Sequence, residues 1–356
     1  MRLFSRFGAR SLVGLDIGSS SVKAVELAPA PDGFDLLRVG TAPVPPESIV
    51  QGAFLNSGAI VEAIGAALED GKIRAQDVCT AVSGHSVIVK KIALPKMSQE
   101  ELEESIRWEA EQYIPFDVNE VNLDFQILSE AEGEEQMDVL LVAVKKDLID
   151  DYVQVLGEAR LRPAIIDVAA FAVQNAYEAN YGTSEEVTAL VHIGAQTVHI
   201  DVVQGGMPLF TRDVSAGGNQ YTEEIQKVLS LGFEEAERMK IGGSGSEEDQ
   251  EVVPQEVEEA MRSVTESLVG EIARSIEFFS ATAAGNDVTR AVLSGGSAQV
   301  PGLDKAFHER TGLPVSIMNP LARMRPNKRF DPERLEELGP RLGVGIGLAL
   351  RRLDDR

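Results

Sequence analysis

The chain has 356 residues, 44% hydrophobic and 25% charged, the composition of a water-soluble globular protein with room for two or three lobes. Its 57 acidic against 33 basic residues give a net charge of −24, which argues against binding nucleic acid through the general surface. The single cysteine, Cys79, excludes an internal disulfide framework and a cysteine zinc site and fits a reducing compartment, and no apolar run approaches the roughly 20 residues that span a bilayer.

The N-terminal MRLFSRFGAR interleaves three arginines with Leu3, Phe4 and Phe7. It lacks the apolar core and cleavage site of a signal peptide, and reads either as a frayed tail or as a contact for a membrane surface or partner. Next, Leu12 to Leu27, LVGLDIGSSSVKAVEL, reads as a strand, a tight Gly-Ser turn and a return strand. Asp16 precedes the turn, Ser19, Ser20 and Ser21 crowd it, and Lys23 opens the return. Two readings stand. One is an ordinary hairpin with a polar turn. The other is a turn that aims N–H groups, hydroxyls and an ammonium at a phosphate chain, with Asp16 holding Mg²⁺ through water.

A turn at Pro31-Asp32-Gly33 leads to a third strand, Phe34 to Thr41, and a Pro-rich link (Pro43, Pro45, Pro46) to a helix over 57–70 with Ile60, Ile64 and Leu68 four apart. Val78 to Val82 and Ser86 to Leu94 read as strands. Ser98 and Glu101 form a capping-box signature, and the helix they start carries Leu102, Ile106, Ala110 and Tyr113 on one stripe before Pro115 ends it. Trp108, the only tryptophan, lies about 240° round from Leu102; it faces a second surface or covers a neighbouring loop. Strands at Val121 to Leu128 and Met137 to Val144, joined by the acidic turn EAEGEE, and a helix from Asp147 to Ala159 complete a β-α-β-β-α unit of about 75 residues.

Thr188 to Val203, TALVHIGAQTVHIDVV, repeats the opening hairpin, with His192-Ile193-Gly194 standing where the first has Asp16-Ile17-Gly18. The repeat predicts two similar lobes. Ser215 to Gln220 then precedes a helix, and Phe233 to Lys240 is helical. The loop GGSGSEEDQEVVP lacks the G-K-[ST] ending of a P-loop and reads as a surface turn. A long helix over 255–284 follows, then a strand, Val288 to Ser294, running into Gly295-Gly296-Ser297 and a helix after Pro301-Gly302-Leu303. Near the end, GVGIGLA lacks the glycine spacing of a dinucleotide fingerprint; its small residues suit close packing of a helix on a sheet.

Taken together, the glycine-bearing turns at 16–21, 192–197 and 294–297, with Asp167 opening a small-residue helix, resemble the actin-like ATPase superfamily. The resemblance implies an α/β, actin-like ATPase fold: two ribonuclease H-like lobes that clamp ATP with Mg²⁺, and here a small β-α-β-β-α inserted subdomain. It divides the chain into a first lobe (1–85, 161–187 and 336–356), the insert (86–160) and a second lobe (188–335, its smaller part about 216–286). By the same resemblance, Asp16, Gly18, Ser19 and Lys23, with Ser20 and Ser21 in the same turn, match the first phosphate loop, and the turn at Gly194 matches the second. Asp167 matches the connecting helix whose polar side chain orients the attacking water. Gly217 and Gly218, followed by Asn219, match the glycine pair that approaches the phosphates. Glu237 and Lys240 match the pair that contacts adenosine, Gly295, Gly296 and Ser297 the adenosine loop, and GVGIGLAL the second connecting helix.

The order of segments looks like that of the division protein FtsA. The insert narrows the family: LPKMSQEELEESIRWEAEQYIPFDVNEVNLDFQIL and MDVLLVAVKKDLIDDYVQVL closely resemble the PilM family of type IV pilus assembly. That family implies a cytoplasmic ATP-binding scaffold, peripheral to the inner membrane through its partner. The partner implied is the short cytoplasmic N-terminal peptide of PilN, held in a groove between the first lobe and the insert. Other inner-membrane or motor components and self-association are compatible with it. Ile114, Pro115 and Phe116 either shape that groove or simply pack the helix end. The alternatives are an FtsA-like membrane-associated filament, although this sequence ends LALRRLDDR rather than in an amphipathic helix, and a kinase, although no acidic kinase motif is evident.

One position departs from the superfamily. His192 stands where the second phosphate loop usually has aspartate, and an imidazole is a poor substitute for a hard oxygen ligand of Mg²⁺. The expectation is ATP binding with slow or absent hydrolysis; the alternative is that Asp16 suffices for the metal. His199 and His308 have no second ligand at i+3 or i+4 and read as surface or packing residues. RMRPNKR (323–329) reads as a solvated basic loop or a contact for an acidic partner.

Overall fold

The computed structural model describes residues 12–31, 33–129, 135–242, 254–283 and 285–353. The expectations for the N-terminal ten residues, for Asp32, for the tip of the acidic turn at 130–134, for the loop over 243–253 and for the last three residues lie outside them.

Alternating apolar residues dictate the first sheet. β1 (Val13–Ile17), β2 (Ser21–Ala30) and β3 (Gly33–Pro43) form an antiparallel meander. A two-residue-arm hairpin, β4 (Ile49–Val50) with β5 (Ala53–Phe54), leads to α1 (Ser57–Asp70), whose N-cap Asn56 accepts from the Ala59 amide. β6 (Asp77–Val82) then pairs parallel to β1. Along β1, Val13, Leu15 and Ile17 pack towards α1, while Leu12 before them packs on the opposite face, as a period of two requires.

The insert follows as β7 (Val87–Pro95), α2 (Gln99–Ala110), β8 (Val121–Ser129), β9 (Gln136–Lys145) and α3 (Lys146–Glu158). Its sheet has the order β7-β9-β8 and buries Ile92, Leu94, Val139 and Leu141 against Leu102, Ile106 and Ala110 of α2. The Ser98–Glu101 capping box is formed in both directions. Trp108 is 75% exposed, so it faces solvent and covers no loop.

β10 (Arg162–Val168) and α4 (Ala169–Tyr181) return to the first lobe and lead to the second. There β11 (Thr188–Ile193), β12 (Val198–Gln204) and β13 (Met207–Val214) repeat the meander. Helices α5 (Asn219–Leu229), α6 (Phe233–Gly242) and α7 (Gln255–Thr282) follow, then β14 (Arg290–Ser294), α8 (Leu303–Thr311) and β15 (Val315–Ile317). The second sheet, β13-β12-β11-β14-β15, has the connectivity of the first, whose order is β10-β6-β1-β2-β3 plus one strand. That strand is β16 (Met324–Pro326), which pairs parallel to β3. Sequence placed 324–326 in the second lobe and in a solvated basic loop; instead Met324 is buried under the first sheet and Arg325 pairs with Asp35.

α9 (Pro332–Leu338) and α10 (Gly343–Ala349) close the chain. α4 and α10 fill the space between the two sheets, and their small residues set the spacing. A Cβ on Gly347 would lie 1.7 Å from the Ala172 carbonyl oxygen of α4, and one on Gly14 of β1 would lie 2.1 Å from the Gly345 carbonyl oxygen. GVGIGLA is thus a close-packing segment.

Candidate functional site

The two meanders place two like turns opposite each other across a cavity of about 640 Å³. In the first, the Gly18 amide donates to the Ser21 carbonyl (3.2 Å), and in the second the Gly194 amide donates to the Thr197 carbonyl (3.0 Å). The cavity wall includes Asp16, Gly18, Ser19, Ser20, Ser21 and Lys23 from the first turn, and His192, Gly194, Ala195, Gln196, Thr197 and His199 from the second. Cross-strand register seats Lys23 opposite Asp16, with the ammonium 3.0 Å from the carboxylate. Ser21 lines the cavity, and its buried hydroxyl has no hydrogen-bond partner among the described residues. An unpaired buried hydroxyl beside an ammonium and a glycine amide suits an oxyanion ligand.

At the other end, Asn219, Glu237, Lys240, Gly296 and Ser297 line the wall, together with Ile241, Gln299 and Arg341. Lys240 is prearranged: its ammonium donates to Glu237 (2.6 Å), to the Thr222 hydroxyl (3.0 Å) and to the Gly218 carbonyl (3.3 Å). Gly217, Gly218 and Gly295 act one layer back. A Cβ on Gly217 would meet the Gly194 carbonyl at 2.6 Å, and one on Gly295, whose φ is +91°, would meet the Ile193 carbonyl at 2.3 Å. The Gly218 amide and the Ser297 hydroxyl both donate to the Gly194 carbonyl. These glycines brace the second turn from behind and do not line the cavity.

The expected place of Asp167 changes. Asp167 is the penultimate residue of β10, opposite Ala81, and does not line the cavity. Its side chain turns to Arg351 (3.4 Å) just beyond α10 and to the Val168 amide (2.8 Å); Ala169 faces the cavity in its place. Ile114 is 7% exposed and belongs to the apolar core of the insert. Phe116 packs on that core, and the Lys145 ammonium lies 4.8 Å from its ring centroid.

His199 is the residue that sequence reasoning missed. It is neither a surface residue nor inert packing: β12 directs Val198, Ile200 and Val202 into the lobe core and turns His199 and Asp201 to the opposite, inter-lobe face. The signal was the spacing itself. His199 follows His192 by the same seven residues as Lys23 follows Asp16, and both pairs are cross-strand partners. The two imidazoles stack with centroids 5.8 Å apart. Burial, with His199 and Lys23 nearby, holds His192 well below the usual histidine range, so it is neutral; its Nδ1 pairs with the Ser294 hydroxyl at 3.0 Å. Burial also acts against charge on His199, but the Asp213 carboxylate, 2.7 Å from Nδ1, outweighs it and raises the imidazole above its ordinary value. The wall also includes Tyr152 of α3, which packs with β1 and α1 of the first lobe and whose hydroxyl is pushed up by burial and by Asp16.

Known proteins bear on this arrangement. A structure titled PilM-PilN type IV pilus biogenesis complex contains a chain 31% identical to this one, with a TM-score of 0.86, over 98% of this chain and 100% of that one. The ethanolamine utilization protein EutJ from Carboxydothermus hydrogenoformans aligns at 15% identity and TM-score 0.56 over 96% and 92% of the two chains. MreB5 of Spiroplasma citri bound to ADP aligns at 13% and 0.50 over 94% of each. These last two share the actin-like fold with this chain. Residues 14–353 match the family described as type IV pilus assembly protein PilM, and with the paired turns, the twin sheets and the insert in their places, the chain belongs to the PilM family.

Proposed function

We propose that this chain is an ATP-binding scaffold of type IV pilus assembly that takes a PilN peptide as its partner and hydrolyses ATP slowly or not at all. The observation that carries the nucleotide part is the pair of facing glycine turns, with Lys23 and Ser21 in the wall of the cavity between them. The phosphates would lie between the Gly18–Ser21 and Gly194–Thr197 turns, taking amide and hydroxyl donors from both. Lys240, fixed by Glu237 and Thr222, and the Gly296–Ser297 segment would hold the nucleoside end.

The donor set also suits Mg²⁺, which is held in phosphate sites by one or two carboxylates, by water and by the phosphates themselves. Asp16 is the carboxylate of the phosphate turns, and its residue fits that role; bound there, the ion would offset phosphate charge. Two features support slow turnover. His192 is neutral and hydrogen-bonded to Ser294, so the second turn brings no carboxylate to the metal. Asp167, the expected orienter of water, is engaged by Arg351 outside the cavity.

Membership in the PilM family and the likeness to the chain in the PilM-PilN complex support the partner. No helix among the described residues is long and apolar enough to cross a membrane, in keeping with attachment through such a partner. Calorimetric titration with ATP and Mg²⁺ tests the site. Lys23→Ala, which removes one charged hydrogen bond of roughly 1.5–3 kcal/mol, lowers affinity about tenfold or more; equal affinity discards the phosphate assignment. Pulldown by a peptide with the sequence of PilN's cytoplasmic N-terminus tests the partner, and weaker capture by Phe116→Ala is the expected result. Unchanged capture removes Phe116 from the contact.

A further inference from the structure

The Asp213 carboxylate is shared between the two lobes. Its Oδ1 lies 2.7 Å from Nδ1 of His199, whose ring lines the cavity beside the second phosphate turn. Its Oδ2 accepts the backbone amide of Gly84 at 2.5 Å. Gly84 belongs to the first lobe, at the turn where β6 ends and β7 of the insert begins, and it holds a φ of +90°. The next residue repeats the crossing, since His85 Nε2 lies 3.0 Å from the Ser215 hydroxyl. The turn is also tied to the adjoining end of the insert sheet, where the Lys145 amide at the end of β9 donates to the Ser86 carbonyl (3.0 Å) next to the Val87–Val144 pair.

We infer that Asp213 is a positioning residue that links the phosphate-facing ring of His199 to the entry turn of the insert, so that occupancy of the cavity is felt at residues 84–86. Both bonds converge on one carboxylate on β13, an edge strand of the second sheet, and Asp213 sits directly opposite His199 in the register. A ligand that draws the His199 ring towards itself moves the carboxylate with it, and the Gly84 amide must follow or lose its acceptor. The reverse holds as well: a displacement of the insert that pulls Gly84 away leaves Asp213 free to re-aim His199. Such reciprocity is required of any coupling between two sites. The linkage is a property of the fold; only its trigger rests on the cavity being a nucleotide site.

Hydrogen exchange at the Gly84 amide, measured on the full chain, tests each half separately. Without nucleotide, His199→Phe removes the partner that fixes Asp213, and Gly84 exchanges at least about tenfold faster. His199→Asn, whose amide nitrogen takes the place of Nδ1 and can donate to Asp213, restores slow exchange, a rescue that general loosening would not give. Asp213→Asn, of equal size, weakens the acceptor directly and also speeds exchange. Wild-type exchange at Gly84 in folded His199→Phe or Asp213→Asn overturns the linkage. With ATP and Mg²⁺ at concentrations that saturate each protein by calorimetry, Gly84 exchange in the wild type changes at least about threefold, and Asp213→Asn loses that response. An unchanged wild-type rate with ATP bound overturns the coupling. Absence of any binding heat in the wild type instead removes the nucleotide reading, and the nucleotide-free comparison still decides the linkage.

Discussion

Asp201 carries a pH dependence that a single substitution should abolish. It lies on β12 beside His199, on the face turned to the connecting helix α4, and is 1% exposed. The Thr211 hydroxyl donates to its Oδ1 (3.0 Å), and Oδ2 has no hydrogen-bond partner among the described residues. Burial pushes this carboxyl up to about 8; the Thr211 bond opposes the shift and Glu178 of α4 adds to it. Burial raises Glu178 as well, against the lowering effect of Gln174. At neutral pH the native protein therefore holds a proton on Asp201 that the unfolded chain, near 3.8, has released. The sign follows: the folded state binds more protons, so this site makes stability fall as pH rises from about 4 to about 8, and the slope disappears above that. Each pH unit is worth about 1.4 kcal/mol, so by pH 7 the loss reaches a ceiling of about 4 kcal/mol. Asp201→Asn keeps the shape and an acceptor for Thr211 but does not titrate. Urea unfolding at pH 5, 6, 7 and 8 is the assay. The variant should match the wild type within about 1 kcal/mol near pH 4–5 and gain on it by roughly 1 kcal/mol per unit up to pH 8. Parallel stability curves across that range would refute the reasoning, because they would mean that Asp201 binds no more protons in the folded state than in the unfolded one.

Two further substitutions probe the cavity and the frame around it. His192→Asp supplies the carboxylate that the second phosphate turn lacks, and Mg²⁺-dependent phosphate release from ATP should rise; unchanged turnover would remove His192 as the cause of slow hydrolysis. Gly347→Ala drives a methyl to within 1.7 Å of the Ala172 carbonyl, so α10 and α4 must separate. Overpacking of this kind costs about 3 kcal/mol or more; a thermal midpoint equal to wild type would show that the helices yield freely.

What the sequence disclosed was local, and what it withheld depended on register and burial. The helix expected over 57–70 forms over Ser57–Asp70, since an i, i+4 apolar stripe and a capping Asn56 need no distant partner. The first hairpin was legible for the same reason: Asp16, the turn and Lys23 fall within eight residues, and one antiparallel register joins them. β16 was not legible, because three residues near position 324 find their partner strand at 34–36, and nothing in RMRPNKR states which sheet edge is open. Asp167 was misassigned by adjacency to a helix; being on the strand side of the boundary turned its carboxylate to Arg351 rather than to the cavity.

The two histidines make the point most sharply. Sequence identified His192 as the odd residue and left its charge open, while His199 attracted no role. Burial disfavours the charged form of both rings, so it does not distinguish them. What does is Asp213, fourteen residues beyond His199 and opposite it only once β13 has folded back on β12. The same carboxylate that raises His199 accepts the Gly84 amide at its second oxygen. The departure at His192 therefore does not simply delete a metal ligand from an actin-like cleft. It leaves a neutral ring stacked on one that Asp213 makes more basic, at the position where the first lobe has Lys23. In the proposed nucleotide site, an ammonium on one turn and an imidazole that Asp213 makes more basic on the other would suit holding phosphate rather than cleaving it, because neither group activates water.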